Sequence, residues 1–345
     1  MKKINTAVVG LRFGVAGIIE GEFVNGGAGE FFEIKAVCDI NTERCDEIAK
    51  KYNVKAYYDM DSLLKDGEID VIILATGPVG RAGQISQIIR SGKDVMTTKP
   101  FEIDHKKGLE VLKEAKSLGR IVHLNSPAPV HYGSLKQIFD WVERYDLGRP
   151  IACRADTWAA YRENPTGNWY DDPEQCPAAP IYRLGIYLIN DLYPIFGEAD
   201  QVTLLQSRVF TGRPTSDNAQ LGILFKNGAI ANVFASFCVK DGQPYKCSLV
   251  LNYENGTISR NVVPYEKPKT SRDFLELVMA GDNGTNIIHK KETLICNGDY
   301  RWDILYKSIK GENCGELTPP EAITHGIQII EAMIKAQRSG RTETV

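Results

Sequence analysis

Three groups of residues in this chain are candidates to do chemistry. The first is Gly10-Leu11-Arg12-Phe13-Gly14, which follows directly on the apolar run Ile4 to Val9. Glycines in that position let the backbone turn sharply and approach a pyrophosphate, whose charge the N-terminus of a following helix can meet. Arg12 stands where a second loop glycine is usual, so Gly10, Gly14 and Gly17 are left to serve. Asp39 ends the next apolar run, where a carboxylate can accept both ribose hydroxyls of a dinucleotide. Its charge repels a 2′-phosphate and favours NAD over NADP, while Arg12 and Arg44 leave NADP open.

The second group is Lys99-Pro100, at the end of the short run Asp94 to Thr97. Hydride transfer from an alcohol needs a base for the hydroxyl proton and a donor or cation near the developing carbonyl. A Lys half-buried at the carboxyl end of a parallel strand stands where doubly wound sheets bind ligands, and burial makes its ammonium easier to deprotonate. Residue type alone equally allows a surface Lys paired with a carboxylate. The third group is Arg183, Tyr187 and Asn190, spaced i, i+4 and i+7, so one helical stripe would carry all three. Such a stripe also arises as the wet side of a helix. Gly185 between them costs about 1 kcal/mol relative to Ala unless something must approach closely. Arg183 is permanently charged and cannot be a base. It would hold a carboxylate or phosphate of a substrate, or else pair with Asp171, Asp172 or Asp191.

The elements that must position these residues show two periodicities. Short apolar runs at Ile4 to Val9, Phe32 to Cys38, Val71 to Ala75, Asp94 to Thr97 and Ile121 to Leu124 alternate with helical spacing at Thr42 to Tyr52, Gly83 to Ser91 and Lys106 to Leu118. Asn41 or Thr42 is placed to cap the first of these helices. The alternation predicts an α/β Rossmann domain, a doubly wound parallel sheet, over residues 1–124. Asn125, at the end of its last strand, is placed to contact a substrate or a nicotinamide amide. Beyond a helix at Ser134 to Tyr145, strand-like runs follow at Ile151 to Trp158, Val202 to Val209, Gln220 to Phe225, Ile230 to Phe237 and Ser248 to Asn252. Consecutive strands predict an α+β domain with a large, mostly antiparallel sheet over residues 125–345, for substrate binding and oligomerisation. Asn227-Gly228 predicts a type I′ hairpin. One side of the sheet would carry a helix around Pro180 to Phe196, and a last helix, Pro319 to Ser339, would be capped by Thr318.

The bulk composition narrows the function classes. At 345 residues with 43% hydrophobic and 25% charged residues, the chain has the make-up of a two-domain globular protein. A net charge of -3 with scattered basic residues points to neither nucleic acid nor membrane as partner. Arg12 and Glu20 interrupt the apolar core that a signal peptide starting at Met1-Lys2-Lys3 would need. Eight dispersed cysteines without a C-x-x-C pair fit a reduced cytoplasmic protein, and five histidines without an H-x-x-x-H arrangement give no reason to expect a metal.

With Ala75-Thr76-Gly77-Pro78, Gly92-Lys93-Asp94-Val95, Thr97-Thr98-Lys99-Pro100, Leu147-Gly148-Arg149-Pro150, Asp217-Asn218-Ala219-Gln220 and Ser339-Gly340-Arg341-Thr342 in this order, the chain resembles the Gfo/Idh/MocA family of sugar and cyclitol oxidoreductases nearly end to end. The resemblance implies NAD(P)-linked hydride transfer at a hydroxyl-bearing carbon of a sugar, sugar acid or cyclitol. It further implies a cleft between two domains and homo-oligomers, dimers or tetramers, built on the C-terminal sheets. It makes Lys99 the Lys of the family's E-K-P motif, with Thr98 in place of the Glu, and sets Thr76 on the cofactor side. The family's Asp-x-Gly-x-His-x-x-Asp reads here with Arg183, Tyr187 and Asn190. The Tyr and Asn also occur in glucose–fructose-oxidoreductase-like and dihydrodiol-dehydrogenase-like members, and Tyr187 would exchange a proton with the reacting oxygen. Two alternatives stay open: NAD-dependent glycoside cleavage, and a cofactor-binding sensor without catalysis. Trp158, Tyr161 and Trp169 are candidates to stack on a sugar face, and His123 and His325 are expected to be structural.

Overall fold

A computed structural model describes residues 2–242, 245–262, 272–296 and 298–345. In the first third, strands β1 (Ile4–Val9), β2 (Phe32–Cys38), β3 (Lys55–Tyr57), β4 (Val71–Leu74), β5 (Asp94–Thr97) and β6 (Val122–Leu124) form one sheet in the order β3-β2-β1-β4-β5-β6. Every pairing in it is parallel, which is the doubly wound arrangement the alternation predicts. β4 and β5 are buried along their whole length, as strands covered on both faces must be. Asn41 caps the helix Thr42–Tyr52, its side chain accepting the Arg44 N–H at 2.8 Å. β3 and the helix Met60–Leu64 are too short to show a period of their own. After β1 the chain makes one α-turn, Leu11–Phe13, and then a wider π-helix, Gly14–Val24, closed by the Asn25 N–H on the Glu20 carbonyl at 3.1 Å.

The second sheet has nine strands, numbered β7 (Pro150–Trp158), β8 (Ala199–Ser207), β9 (Asn218–Phe225), β10 (Ile230–Ser236), β11 (Lys246–Tyr253), β12 (Gly256–Arg260), β13 (Arg272–Ala280), β14 (Asn286–Leu294) and β15 (Glu343–Thr344). Their order is β14-β13-β12-β11-β7-β10-β9-β8-β15. β7 and β10 pair parallel, and every other neighbour pairs antiparallel. The β9–β10 hairpin forms, but not as the two-residue type I′ turn. Phe225 and Ala229 close it with three residues between them, and only Gly228 takes a positive φ, 87°. That is a turn of ordinary hand followed by a left-handed glycine, which demands less of Asn227 than type I′ would. Thr318 is not the cap of the last helix, Pro320–Ser339, because its hydroxyl donates to the Ala128 carbonyl at 2.7 Å.

The chain divides into two compact units, residues 1–130 with 300–320, and residues 131–299 with 321–345. This differs from a single cut at residue 124. Residues 300–320 return to the first unit because the helix Trp302–Ile309 brings Trp302, Leu305 and Tyr306 into the core around Phe32. The Trp302 ring meets the Phe32 ring edge-on at 5.6 Å. Within the second unit, Cys153, Ala155, Leu221, Ile223, Val233, Leu249 and Leu251 are buried on one face of the sheet. The helical segment Ile181–Phe196 packs on that face as a π-turn, Ile181–Gly185, followed by the α-helix Ile186–Phe196. Gly185 is the close approach, since a Cβ there would stand 3.4 Å from Val233 Cγ1 and 3.1 Å from Ile181 Cδ1.

Candidate functional site

At the carboxyl edge of the first sheet the turn after β1 is built on glycines that pack closely against the chain's own neighbouring groups. Gly10 takes φ 88°, and a Cβ there would lie 2.9 Å from the Thr76 backbone nitrogen. Gly14 is just as constrained, with Val8 Cγ1 2.9 Å from its absent Cβ, so the helix can sit directly on β1. Any side chain at Gly17 would run into the Phe13 ring, which folds back along the helix and remains 44% exposed. Asp39 is buried at the end of β2 and organises the loop from beside it. One carboxylate oxygen accepts the Leu11 N–H at 2.8 Å and the other accepts the Asn41 N–H at 2.9 Å, with Arg44 at 3.6 Å. Each oxygen keeps a lone pair, which is what two ribose hydroxyls require. The next N–H groups of the helix, at Arg12 and Phe13, have no acceptor within their own turn and are the donors a pyrophosphate would meet. The residues present therefore fit a dinucleotide.

Lys99 follows β5 on the same edge. The Thr97 hydroxyl donates to the Leu74 carbonyl at 2.7 Å, and the Lys99 N–H donates to Asn125 Oδ1 at 3.1 Å. Asn125, at the end of β6, is only 3% exposed and so holds this loop from inside. Thr76, after β4, donates its hydroxyl to Gln84 Oε1 at 2.6 Å. Gly10, Asp39, Thr76, Lys99 and Asn125 thus stand beyond the ends of β1, β2, β4, β5 and β6. Two further residues of this edge escaped the reading of the sequence. Arg81 is 3% exposed and donates to the carbonyls of Thr76, Thr98 and Pro100. Glu102 is 1% exposed and accepts the Ala82 and Ile103 N–H groups, both at 2.8 Å. The signal for Arg81 was its place, because a cation in the first residue of the helix Arg81–Arg90 opposes the helix dipole unless it serves something else.

In the second unit the residues of the expected stripe are put to different uses. Arg183 donates both guanidinium arms to Glu163, at 2.6 and 3.0 Å. Its guanidinium carbon lies 3.9 Å from the Tyr170 ring centre, 4.7 Å from Phe237 and 5.0 Å from Tyr161. The residue that takes both arms is thus Glu163, where the sequence suggests Asp171, Asp172 or Asp191. Asp171 pairs with Arg213, Asp172 accepts the Glu174 N–H at 2.8 Å, and Asp191 pairs with Arg260 at 3.0 Å. Burial alone would raise the Glu163 carboxyl, but the hydrogen bonds and charge of Arg183, with Arg213 beyond, hold it below its ordinary value. Tyr187 is half-buried, its ring 3.5 Å from where a Gly298 side chain would begin. Asn190 is buried against the last helix at Gly326, where even a methyl group would collide with its Oδ1. Tyr161 shares a 2.6 Å hydrogen bond with Tyr245, and Trp169 packs on Tyr170 and Tyr182. His123 meets the Tyr300 carbonyl at 2.7 Å and His325 accepts the Ala199 N–H at 2.9 Å, both buried.

Residues 4–126 match the oxidoreductase family described as having an NAD-binding Rossmann fold, and residues 135–259 match the GFO/IDH/MocA C-terminal domain. The chain belongs to the Gfo/Idh/MocA family. An uncharacterized oxidoreductase of Schizosaccharomyces pombe is 28% identical over 155 residues, which is 44% of this chain and 40% of that relative. The uncharacterized oxidoreductase YhhX of Escherichia coli is 22% identical over 79% of this chain and 80% of its own length. The 1,5-anhydro-D-fructose reductase of Ensifer adhaerens is 22% identical over 68% and 70% respectively. Among solved structures, a putative NADPH-dependent oxidoreductase of Desulfitobacterium hafniense superposes with a TM-score of 0.78 at 16% identity, covering 100% of this chain and 98% of that one. An aldose-aldose oxidoreductase of Caulobacter crescentus, complexed with glycerol, gives 0.73 at 17% identity with both chains covered completely. At these identities the structural likeness carries the fold.

As a Gfo/Idh/MocA protein the chain takes NAD as its cofactor. The family's Asp217-Asn218-Ala219-Gln220 run now has a physical reason. The Asp217 carboxylate is fully buried and accepts the N–H groups of Val209, Phe210 and Thr211 at 2.7 to 3.0 Å, folding the β8–β9 connection onto itself. Among the described residues there is no helix long and apolar enough to cross a membrane and no group of three or more His, Cys, Asp or Glu side chains placed to hold a metal ion.

Proposed function

We propose that this Gfo/Idh/MocA protein transfers a hydride between NAD and a hydroxyl-bearing carbon of a sugar, sugar acid or cyclitol. The observation that carries the reading is Lys99, fixed through its backbone by Asn125 on the sheet edge that also bears the glycine loop and Asp39. NAD, when bound, supplies the hydride-accepting ring. Lys99 takes the hydroxyl proton during oxidation and returns it during reduction, which removes the charge cost of forming an alkoxide. Tyr187 is the second donor to the reacting oxygen. Arg183, its charge met by Glu163, acts as a brace for Tyr161 and Tyr170 rather than as a receptor for a substrate anion. The names of two relatives, a reductase of an anhydrosugar and an oxidoreductase of aldoses, support the substrate class.

The test is a calorimetric titration with NAD, followed by turnover assays on a panel of polyols, aldoses, uronates and cyclitols with product analysis. Net reduction of NAD with a ketone, lactone or aldehyde product is the expected result. Glycoside cleavage with NAD returned unchanged, or NAD binding without turnover on any of the panel, would overturn it in favour of the two alternatives. We also propose a homo-oligomer built on the outer face of the second sheet, where Leu205, Ile230 and Ile288 are 69%, 58% and 52% exposed. Sedimentation of the wild type against Ile288→Asp tests it. None of the eight cysteines takes part in a disulfide, in keeping with the reducing, cytoplasmic setting we propose.

A further inference from the structure

Beyond the ends of β4 and β5, two loops run side by side with no strand to pair their carbonyls. The carbonyls of Thr76, Thr98 and Pro100 all turn to a single side chain, the guanidinium of Arg81, with Nη1 at 2.7 Å from Thr98 and 3.0 Å from Pro100 and Nη2 on Thr76. Thr98 and Pro100 flank Lys99. The Lys99 N–H is taken up from the other side by Asn125, so the peptide joining Thr98 to Lys99 is held at both its carbonyl and its N–H, and the next carbonyl held lies at Pro100. Glu102 completes the arrangement by accepting the Ala82 N–H, which fixes the first turn of the helix that carries Arg81. An Arg that is 3% exposed has lost nearly all its hydration, and bonding to three carbonyls recovers it only where those carbonyls are held at a fixed spacing. The same residue position that the Gfo/Idh/MocA resemblance fills with Glu is Thr98, whose carbonyl Arg81 holds.

We propose that Arg81 is the positioning residue of Lys99, a buried fork that ties the β4 and β5 loops together and so fixes where the Lys99 amine is delivered. The proposal rests on the oxidoreductase reading for its effect on turnover, but its geometric part stands apart from it. A Lys at position 81 keeps the charge and loses the planar fork, so it can serve some of the three carbonyls but not all. A Met keeps the volume and serves none.

The experiment compares wild type, Arg81→Lys and Arg81→Met, each first shown by thermal unfolding to be folded. In the turnover assay, Arg81→Met is expected to lose roughly 100-fold in kcat, and Arg81→Lys roughly tenfold, with KM and the NAD dissociation constant within about threefold of wild type. In a second arm that needs no substrate, each protein is treated with a limiting acylating ester, and modification of Lys99 is counted by peptide mass spectrometry against Lys107, whose side chain is 67% exposed. The Lys99 to Lys107 ratio is expected to change at least about fivefold in Arg81→Met and less in Arg81→Lys, because a freed loop presents the amine differently. If Arg81→Met does not fold, Arg81→Lys alone decides, and full wild-type kcat with an unchanged labelling ratio overturns the proposal. Equal losses in kcat, KM and NAD affinity would overturn it too, as they would mark a merely structural tie. If the wild type turns over nothing while the labelling ratio still responds, the oxidoreductase reading fails and the positioning role stands.

Discussion

Lys99 and Arg183 are both cations at positions that the family resemblance marks, and they end in surroundings of different kinds. Lys99 sits just past a strand of a parallel sheet, where its backbone is held by groups from the neighbouring strand ends. Arg183 sits on a helical turn across a mostly antiparallel sheet, where Glu163, arriving from a loop 20 residues earlier, takes both arms of its guanidinium. In the first region, position along a strand determines position in space, because every strand of a doubly wound sheet ends on the same edge. In the second, what a helical side chain does depends on which loop residue reaches it, and no local spacing encodes that.

The contrast can be broken most directly at the two cations themselves. Lys99→Ala should lower kcat by about 10²- to 10⁴-fold with the NAD dissociation constant nearly unchanged, the usual range for losing a proton-transfer group. Arg183→Met should cost less than about tenfold in kcat and act mainly through stability. Equal losses in the two variants, measured in one assay, would mean that Arg183 also works on the substrate and that the two regions are not different after all.

The first region has its own vulnerability, in acid. Burial pushes the His123 imidazole down to about 4 from its ordinary 6.5, so the native state refuses a proton that the unfolded chain accepts. Stability is fully present above pH 6.5 and falls as the pH drops toward 4, by up to about 3 kcal/mol from this side chain. His123→Gln, which can still donate to the Tyr300 carbonyl, should show a flatter loss of urea midpoint between pH 7 and 4.5 than wild type. An identical pH slope in the two proteins would rule His123 out as the cause.

The second region should respond in the same direction through a carboxylate. Glu163→Gln removes the negative charge that faces Arg183 and should cost about 2 kcal/mol at neutral pH. Because the Glu163 carboxyl lies below its ordinary 4.5 in the folded chain, that difference is complete above pH 4.5 and disappears as the pH falls through the lowered value. A difference between variant and wild type that persisted undiminished at pH 3 would show that packing, not charge, connects the pair. The smallest effect belongs to Asp39→Ala, which should weaken NAD by about tenfold and relax discrimination against NADP, both read by calorimetric titration. Unchanged discrimination would hand that role to Arg12 and Arg44.

How much of this was legible follows the same divide. The strand ends lay in the sequence, because apolar runs broken by Gly10, Asp39 and Thr98 leave little freedom in where a parallel strand stops, and the helix cap was narrowed to Asn41 or Thr42. Arg81 and Glu102 were hidden because each is a charged residue at a helix or loop start, a pattern that usually means solvent. Gly185 was recognised as needing a close neighbour, but that neighbour, Val233, lies 48 residues on and belongs to a strand. The Glu163 pairing and the burial of Asn190 at Gly326 are contacts between distant segments, and the π-turn at Ile181–Gly185 shifts the stripe on which Arg183 was expected.

The return of residues 300–320 to the first unit sets the order in which the protein can be completed during synthesis. A ribosome releases the whole of residues 1–130 early, yet Trp302, Leu305 and Tyr306 must still be translated before the apolar surface around Phe32 is covered. The nascent dinucleotide unit therefore waits, with part of its core open to water, through the making of nearly all of the other unit. It also cannot be cut out as a clean N-terminal piece: a fragment ending at Val130 leaves behind the aromatic residues that close it, and a working fragment would need residues 300–320 joined on by a new linker.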